Sequence, residues 1–172
     1  MKILPWTERK WELGLPQWQT PHLLERLEGT PVRLASKLMI YEPIMTVRPA
    51  EDKWSILENA GHIWDVESLS LKRFEEFVEG LTDLTPAEMS GQRTRDASYN
   101  DKTIHYVING LTSARQEIIE ILRAQDDSFF QRTAIHPRLK QPMTPVDLMY
   151  FFAEHDDYHL AIITELGRTL SK

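Results

Sequence analysis

No cysteine occurs among the 172 residues of the chain. Disulfides and thiolate ligands are thereby excluded, and any thiol used in a reaction has to arrive on a small molecule. A metal site would have to draw on nitrogen and oxygen alone. Long apolar runs are missing too: none approaches the roughly 20 residues that cross a bilayer. Met1-Lys-Ile-Leu-Pro-Trp6 lacks the apolar core of a signal peptide, so a cytoplasmic location without a membrane partner is expected. Positive charge is in deficit. A net charge of −6 argues against a phosphate-backbone partner, and no nucleic acid is expected. Convincing strand alternation, internal repeats and low-complexity segments are also lacking. With 41% hydrophobic residues, the length suffices for one core and is short for two, so one domain over 1–172 is expected.

What is present is helical punctuation. Thr30-Pro31 offers an N-cap followed by proline at the first helical position, and Leu34, Leu38 and Tyr41 continue it as a stripe, which predicts a helix over 31–42 that Pro43 ends. Ser55 with Glu58 makes a capping-box pattern and opens a helix over 55–79, closed by Gly80. A third helix over 101–124 buries Ile104, Ile108, Leu111, Ile118 and Leu122. Arg115 falls inside that apolar stripe and needs an acidic partner, with recognition of a substrate carboxylate as the alternative. Thr144-Pro145 with Asp147 opens a fourth helix over 145–168, which Gly167 and the last residues terminate. The linkers at 81–100 and 125–143 are long enough to cross a bundle. Residues 1–29, with Trp6, Trp11 and Trp18 and, counting Pro31, four of the ten prolines, read as an extended arm packed on the helices.

The candidate chemistry lies in Glu154-His-Asp-Asp-Tyr-His159. A four-residue helical step brings His155 and His159 to one face about a turn apart, within reach of one metal ion. Both sit on the stripe Leu148, Phe152, His155, His159, Ile162 and Leu166, and so point into the bundle. His62, near the start of the second helix on a face shared with Glu58, Asn59, Asp65 and Val66, is the best third ligand. The mixed polarity of that face suits a crevice better than a sealed core.

Several acids compete for roles beside the histidines. Glu58 is read first as the partner of Ser55 in the capping box, and Asp65 as solvated. Asp156 and Asp157 lie on either side of the inward stripe, a placement that leaves room for one of them to be exposed, and Glu154, Asp156 and Glu58 are candidates to orient ligand imidazoles. Glu58, Asp65 or Asp156 could also close the metal's shell. His22, His105 and His136 lie off the inward stripes and read as ordinary surface or hydrogen-bonding histidines. Trp54 and Trp64 read as core or crevice wall.

Taken together, Trp54-Ser-Ile-Leu-Glu-Asn-Ala-Gly-His62 with Glu67, Arg132-Thr-Ala-Ile-His136-Pro-Arg138 and Ala153-Glu-His-Asp-Asp-Tyr-His-Leu160 resemble the DinB-like family of four-helix-bundle proteins, over nearly the whole chain. That family carries one histidine on its second helix and an HxxxH pair on its fourth, which correspond here to His62, His155 and His159. The resemblance implies an all-α bundle in an up-down-down-up arrangement with long crossover loops. It also implies a divalent metal such as zinc or nickel between helices two and four, and a homodimer. Relatives include bacillithiol S-transferases and a mycothiol-dependent isomerase.

Three neutral imidazoles leave a divalent cation largely uncompensated, which acidifies a water or thiol in an open coordination position. Transfer of a low-molecular-weight thiol to an electrophilic small molecule is the leading expectation. A metal-dependent hydrolase and a non-catalytic metal-containing binding or stress-response protein are the alternatives, and no individual catalytic residue is assigned.

Overall fold

The computed structural model describes residues 3–172; Met1 and Lys2, the first residues of the expected arm, lie outside the described residues. Among the described residues there are five α-helices: α1 (Thr20–Ile40), α2 (Ile56–Glu79), the short α3 (Gln92–Asp96), α4 (Ile104–Arg123) and α5 (Pro145–Leu170). A two-residue antiparallel pair, β1 (Ala134–Ile135) with β2 (Pro142–Met143), accompanies them. The four long helices correspond to the four expected, and both predicted capping boxes form, Ser55 with Glu58 and Thr144 with Asp147.

Three boundaries differ from expectation. Helix α1 begins at Thr20, so residues 20–29 are helical and not part of an extended arm, and Pro31 lies inside the helix. An internal proline leaves the carbonyl four residues earlier without its helical donor. Here that carbonyl belongs to Leu27, and the Arg115 guanidinium donates to it from α4 at 2.8 Å. A tertiary hydrogen bond thus tolerates a residue that reads locally as a helix start. Helix α4 opens later than expected, because the Thr103 side chain caps it by accepting from the Tyr106 N–H. Gly167 does not stop α5. A Cβ there would stand 2.2 Å from the Tyr41 ring, so this glycine permits close packing of the chain just after α1.

Contacts along the helices fix their directions. Asn59 meets His159 and Phe74 meets Phe152, so α2 and α5 run antiparallel. Trp64 packs on Tyr106 and Glu67 binds Arg115, so α2 and α4 are parallel. Arg26 reaches Glu154 and Lys37 reaches Thr164, so α1 and α5 are parallel. The order is up-down-down-up, with α1 and α2 diagonally opposed. Because α2 and α4 are parallel, the connection between them has to travel back along α2, about 36 Å for 24 residues at 1.5 Å each. That returning linker, residues 81–103, forms one wall of the site described below. It is tied to the second long linker where Ile135 donates to the Thr82 carbonyl at 2.7 Å.

A polar layer divides the interior. Arg115 makes a bidentate pair with Glu67 at 2.7 and 2.8 Å and a further ion pair with Asp156 at 2.9 Å, and Thr30 donates to the same Asp156 oxygen at 2.8 Å. All four residues are buried and each comes from a different long helix. On one side lie Leu34, Leu38, Ile63, Leu111 and Leu160; on the other lie Leu27, Phe74, Ile118, Leu122 and Phe152. Burial alone drives the Arg115 pKa down, but Asp156 and Glu67 more than offset that and raise it, so the cation is retained. The expected acidic partner of Arg115 is thus two partners, and the substrate-recognition alternative is overturned. Among the described residues no helix is long and apolar enough to cross a membrane.

Candidate metal centre

His62, His155 and His159 converge between α2 and α5: one ring nitrogen of each lies within 4.8 Å of the others. Ring centres stand 4.6 to 5.3 Å apart. The helical step that pairs His155 with His159 holds, although the buried stripe of α5 then drifts to Ile163 and Gly167, away from Ile162 and Leu166. The reason is that 3.6 residues per turn exceed the 3.5 of a heptad stripe.

Hydrogen bonds select the tautomers. Among the described residues the hydrogen-bond partner of His159 Nδ1 is Asn59 Oδ1 at 3.0 Å, and the Asn59 amide is oriented by its own donation to the Ser55 carbonyl at 2.8 Å. Asparagine oxygen cannot donate, so Nδ1 carries the proton and Nε2 keeps a lone pair. At His62, Nδ1 lies 3.0 Å from the Thr94 hydroxyl, which gives its own proton to Asp65 at 2.8 Å. Nδ1 of His62 is therefore again the donor. Asp65 is held in turn by the Tyr99 hydroxyl at 2.8 Å and by Arg93 at 3.2 Å. Gly61 allows Tyr99 this approach, since a Cβ there would stand 2.2 Å from the ring. His155 has Trp6 edge-on against it, ring centres 5.1 Å apart.

All three rings are neutral near pH 7. Burial pushes the His62 pKa down to about 4, against the opposing pull of Asp65 and Glu88. His155 and His159 are lowered well below the usual histidine value, first by burial and then by nearby positive charge, from His62 and Arg115 at His155 and from His155 and His62 at His159, with Arg9 adding to both. Neutral imidazoles, two of them with Nδ1–H donated to protein partners so that Nε2 keeps its lone pair, are a donor set a borderline cation such as zinc takes. Nitrogens sharing such an ion stand about 3.3 Å apart, which side-chain rotation from this arrangement supplies. The residues present fit a divalent metal ion.

The nearby acids are already engaged. Glu58 completes the capping box and is bound by Arg48; Asp156 belongs to the polar layer; Glu154 and Asp157 pair with Arg26 on the half-buried face. Asp65 is not solvated as expected. Trp54 lies against His62 with ring centres 4.7 Å apart and forms wall, whereas Trp64 packs on Gly110 and Tyr106 away from the histidines. His22 and His105 are exposed and distant in the fold, while His136 is buried and lines the same cavity as His62 and His155. That cavity, about 1010 Å³, runs between α2, α5 and the returning linker. Thr94, Glu88 and Trp6 were not singled out for the site from the sequence. Nothing local marks them, because each is brought in by a linker or by the N-terminal segment. Asn59 was legible as a neighbour of His62 on the polar face.

The sequence pattern of the DinB superfamily matches residues 40–163. The chain is similar to the Bacillus subtilis (strain 168) protein named "Putative metal-dependent hydrolase YfiT", 25% identical over 176 residues that cover 96% of this chain and 94% of the relative. It is also similar to the solved structure of YfiT, described as "a probable metal-dependent hydrolase with an unusual four-helix bundle topology". That likeness has a TM-score of 0.79 at 20% identity and covers 95% of this chain and 94% of the other. With a matched segment that spans α2, α4 and most of α5, including all three histidines, the chain belongs to the DinB superfamily.

Proposed function

We propose that this protein is a divalent-metal-dependent hydrolase of a small molecule, with His62, His155 and His159 as the metal ligands. The observation that carries the reading is the convergence of three neutral imidazoles, two of them held in one tautomer by hydrogen bonds, beside a cavity of about 1010 Å³ that His62 and His155 line. The relative named as a metal-dependent hydrolase supports the same reaction class. A divalent ion, zinc or nickel given the all-nitrogen donor set, supplies Lewis acidity there. The chain supplies the rest. Trp6, Val66, Leu69 and Phe152 present apolar surface for the substrate, and the N-terminal segment is pinned over α5 by Gly14 and Leu15 donating to Asp147 at 2.8 and 2.9 Å. Glu88, on the linker wall, adds negative charge that reaches His62, while Ser90 binds its carboxylate and holds its pKa below the ordinary value.

Thiol transfer is the second reading, and one observation favours it. The carboxylates nearest the histidines are committed to Arg48, Arg115 or Thr94, so a nucleophile that ionises with little help from a base suits the site. Metal-loaded protein, chelated protein and the triple-alanine variant of the histidines, assayed on ester and amide panels and on low-molecular-weight thiols with electrophiles, separate the two. Metal-dependent turnover on the first panel supports hydrolysis; turnover on the second alone replaces it with transfer; background rates on both leave a binding protein.

The expected homodimer is part of this proposal. Val32, Met39 and Ile40 on α1 are 72%, 65% and 67% exposed, an apolar face of the kind that a second copy covers. Light scattering is expected to show a dimer that Met39→Glu weakens, and a monomer at millimolar concentration overturns it.

A further inference from the structure

The cavity has a second polar end. Along α2 its lining runs from His62 through Asp65, Val66 and Leu69 to Lys72 and Arg73, about 16 Å of helix at 1.5 Å per residue. Asp65, Glu88 and Asp96 line it along with His62, whereas Arg73 is joined by Arg138 and His136 from the loop between the two short strands. Trp6 and Phe151 lie between the ends: Trp6 touches His155 and Phe151, and Phe151 lies against His136, each with ring centres about 5 Å apart.

These cations differ from the others in the interior. Arg115 and Arg26 are each held by two carboxylates. Arg73 is 2% exposed, yet its contacts are the Thr85 carbonyl at 2.9 Å and His136 Nε2 at 3.3 Å, with no carboxylate in salt-bridge range among the described residues. Glu76 helps it only from a distance, since both Glu76 oxygens serve Thr85. Arg138 is half-buried over the Phe151 ring, and its Nη2 is buried without any acceptor.

His136 sharpens the case. Its Nδ1 faces the Leu139 N–H at 3.2 Å and its Nε2 faces Arg73, so a donor stands at each nitrogen. Neutral imidazole has one acceptor nitrogen, and burial with the charges of Arg73 and Arg138 pushes this ring's pKa down to about 4. If Nδ1 accepts from Leu139, Nε2–H and the Arg73 N–H are two donors pointed at each other. Three donors at one end of the cavity thus lack an acceptor, and an oxyanion would satisfy all of them with charge-assisted hydrogen bonds.

We propose that Arg73, Arg138 and His136 form an oxyanion subsite that holds a carboxylate or phosphate at the end of the substrate remote from the histidine centre. The word substrate rests on the hydrolase reading; the subsite itself needs no metal. The substrate class is an elongated small molecule with an anionic terminus, an apolar middle against Trp6 and Phe151, and the reacting group near His62 and His155.

The test is calorimetric titration of metal-free full-length protein with 4-phenylbutyrate, phenyl phosphate and the neutral 4-phenylbutanamide. At least one anion is expected to bind about tenfold or more tightly than the amide, and comparison of the two anions tells carboxylate from phosphate. Arg138→Gln should remove that preference and leave the amide unaffected. Equal affinities for amide and anions, no anion binding, or an unchanged preference in Arg138→Gln overturns the proposal. Thermal unfolding gives a second readout: removing an uncompensated cation should leave Arg138→Gln at or above the wild-type Tm, and a clear drop marks a structural arginine instead. His62→Ala keeps anion binding whether or not it loses metal, so the subsite and the metal centre fail or stand separately.

Discussion

His155 and Asp156 are neighbours on α5, both buried, and they belong to opposite kinds of polar interior. Asp156 sits in the layer with Arg115, Glu67 and Thr30, where every charge has an opposite partner inside the layer and Arg115 spends a further donor on the Leu27 carbonyl. His155 sits with His62 and His159, where the Nδ1 protons of His62 and His159 are donated to Thr94 and Asn59 and one ring nitrogen of each of the three converges on a common point. Buried polar atoms that satisfy each other fix the register of four helices; buried polar atoms that leave a matched set unsatisfied await a ligand. Burial and helix position do not distinguish the two, and hydrogen-bond accounting does.

Loss of a layer residue should give the largest effect on the fold. Glu67→Ala leaves Arg115 in the interior without its bidentate partner, and breaking such a buried pair costs about 3–5 kcal/mol. Urea unfolding is expected to show that loss, with metal content per folded molecule unchanged. If stability falls by less than about 1 kcal/mol, the layer is not what ties the helices together.

The reciprocal experiment acts on the other neighbour. His62→Ala, His155→Ala or His159→Ala should each sharply reduce metal content measured by mass spectrometry while the helical spectrum stays that of the bundle, and His105→Ala should change neither. Equal metal in wild type and the His62 and His155 variants would merge the two regions into one structural network and remove the candidate centre.

Much of this contrast was readable in the sequence because it rests on local periodicity. The inward positions of His155, His159 and Arg115 follow from a spacing that one helix imposes on itself. Helix α1 was misplaced for the opposite reason: what makes Pro31 acceptable inside it is Arg115, 84 positions further along, donating to Leu27. His136 lies off the inward stripes of the helices, and only the return of both long linkers against α2 buries it beside Arg73. The partners that set the tautomers divide the same way, Asn59 on the helix of His62 and Thr94 on a linker that the parallel α2–α4 pair forces back across the bundle.

Acid should weaken the histidine region in a defined direction. His62 and His136 have folded-state pKa values pushed down to about 4, below the ordinary 6.5, and burial lowers His155 and His159 well below it too. As pH falls through 6.5 the unfolded chain takes up protons that the folded chain refuses. The stability of metal-free protein is therefore full above about pH 6.5 and declines toward pH 4, by about 1.4 kcal/mol per unit for each histidine. Unfolding at about pH 7.5 and pH 5 checks this, and His155→Leu should flatten the slope by one histidine's share. A flat wild-type profile would mean that these rings are already charged or solvated in the folded state.

The smallest expected effect tests whether the tautomers matter. Asn59 is 3% exposed, accepts from His159 Nδ1 at 3.0 Å and is itself held by the Ser55 carbonyl. Asn59→Ala removes the acceptor and leaves the ring, the helix and the capping box in place, so Nδ1 and Nε2 of His159 compete for the proton. Loss of such an orienting partner lowers metal affinity by about 10- to 100-fold. Competition with a fluorescent chelator should show that loss, with the metal-free unfolding midpoint shifted far less than in Glu67→Ala. Asn59→Asp keeps an acceptor at Nδ1 and should restore most of the affinity, which a simple packing role for the side chain would not produce. If both variants bind metal as tightly as wild type, the outward hydrogen bonds are incidental, and the histidine region is no more organised for a ligand than the layer beside it.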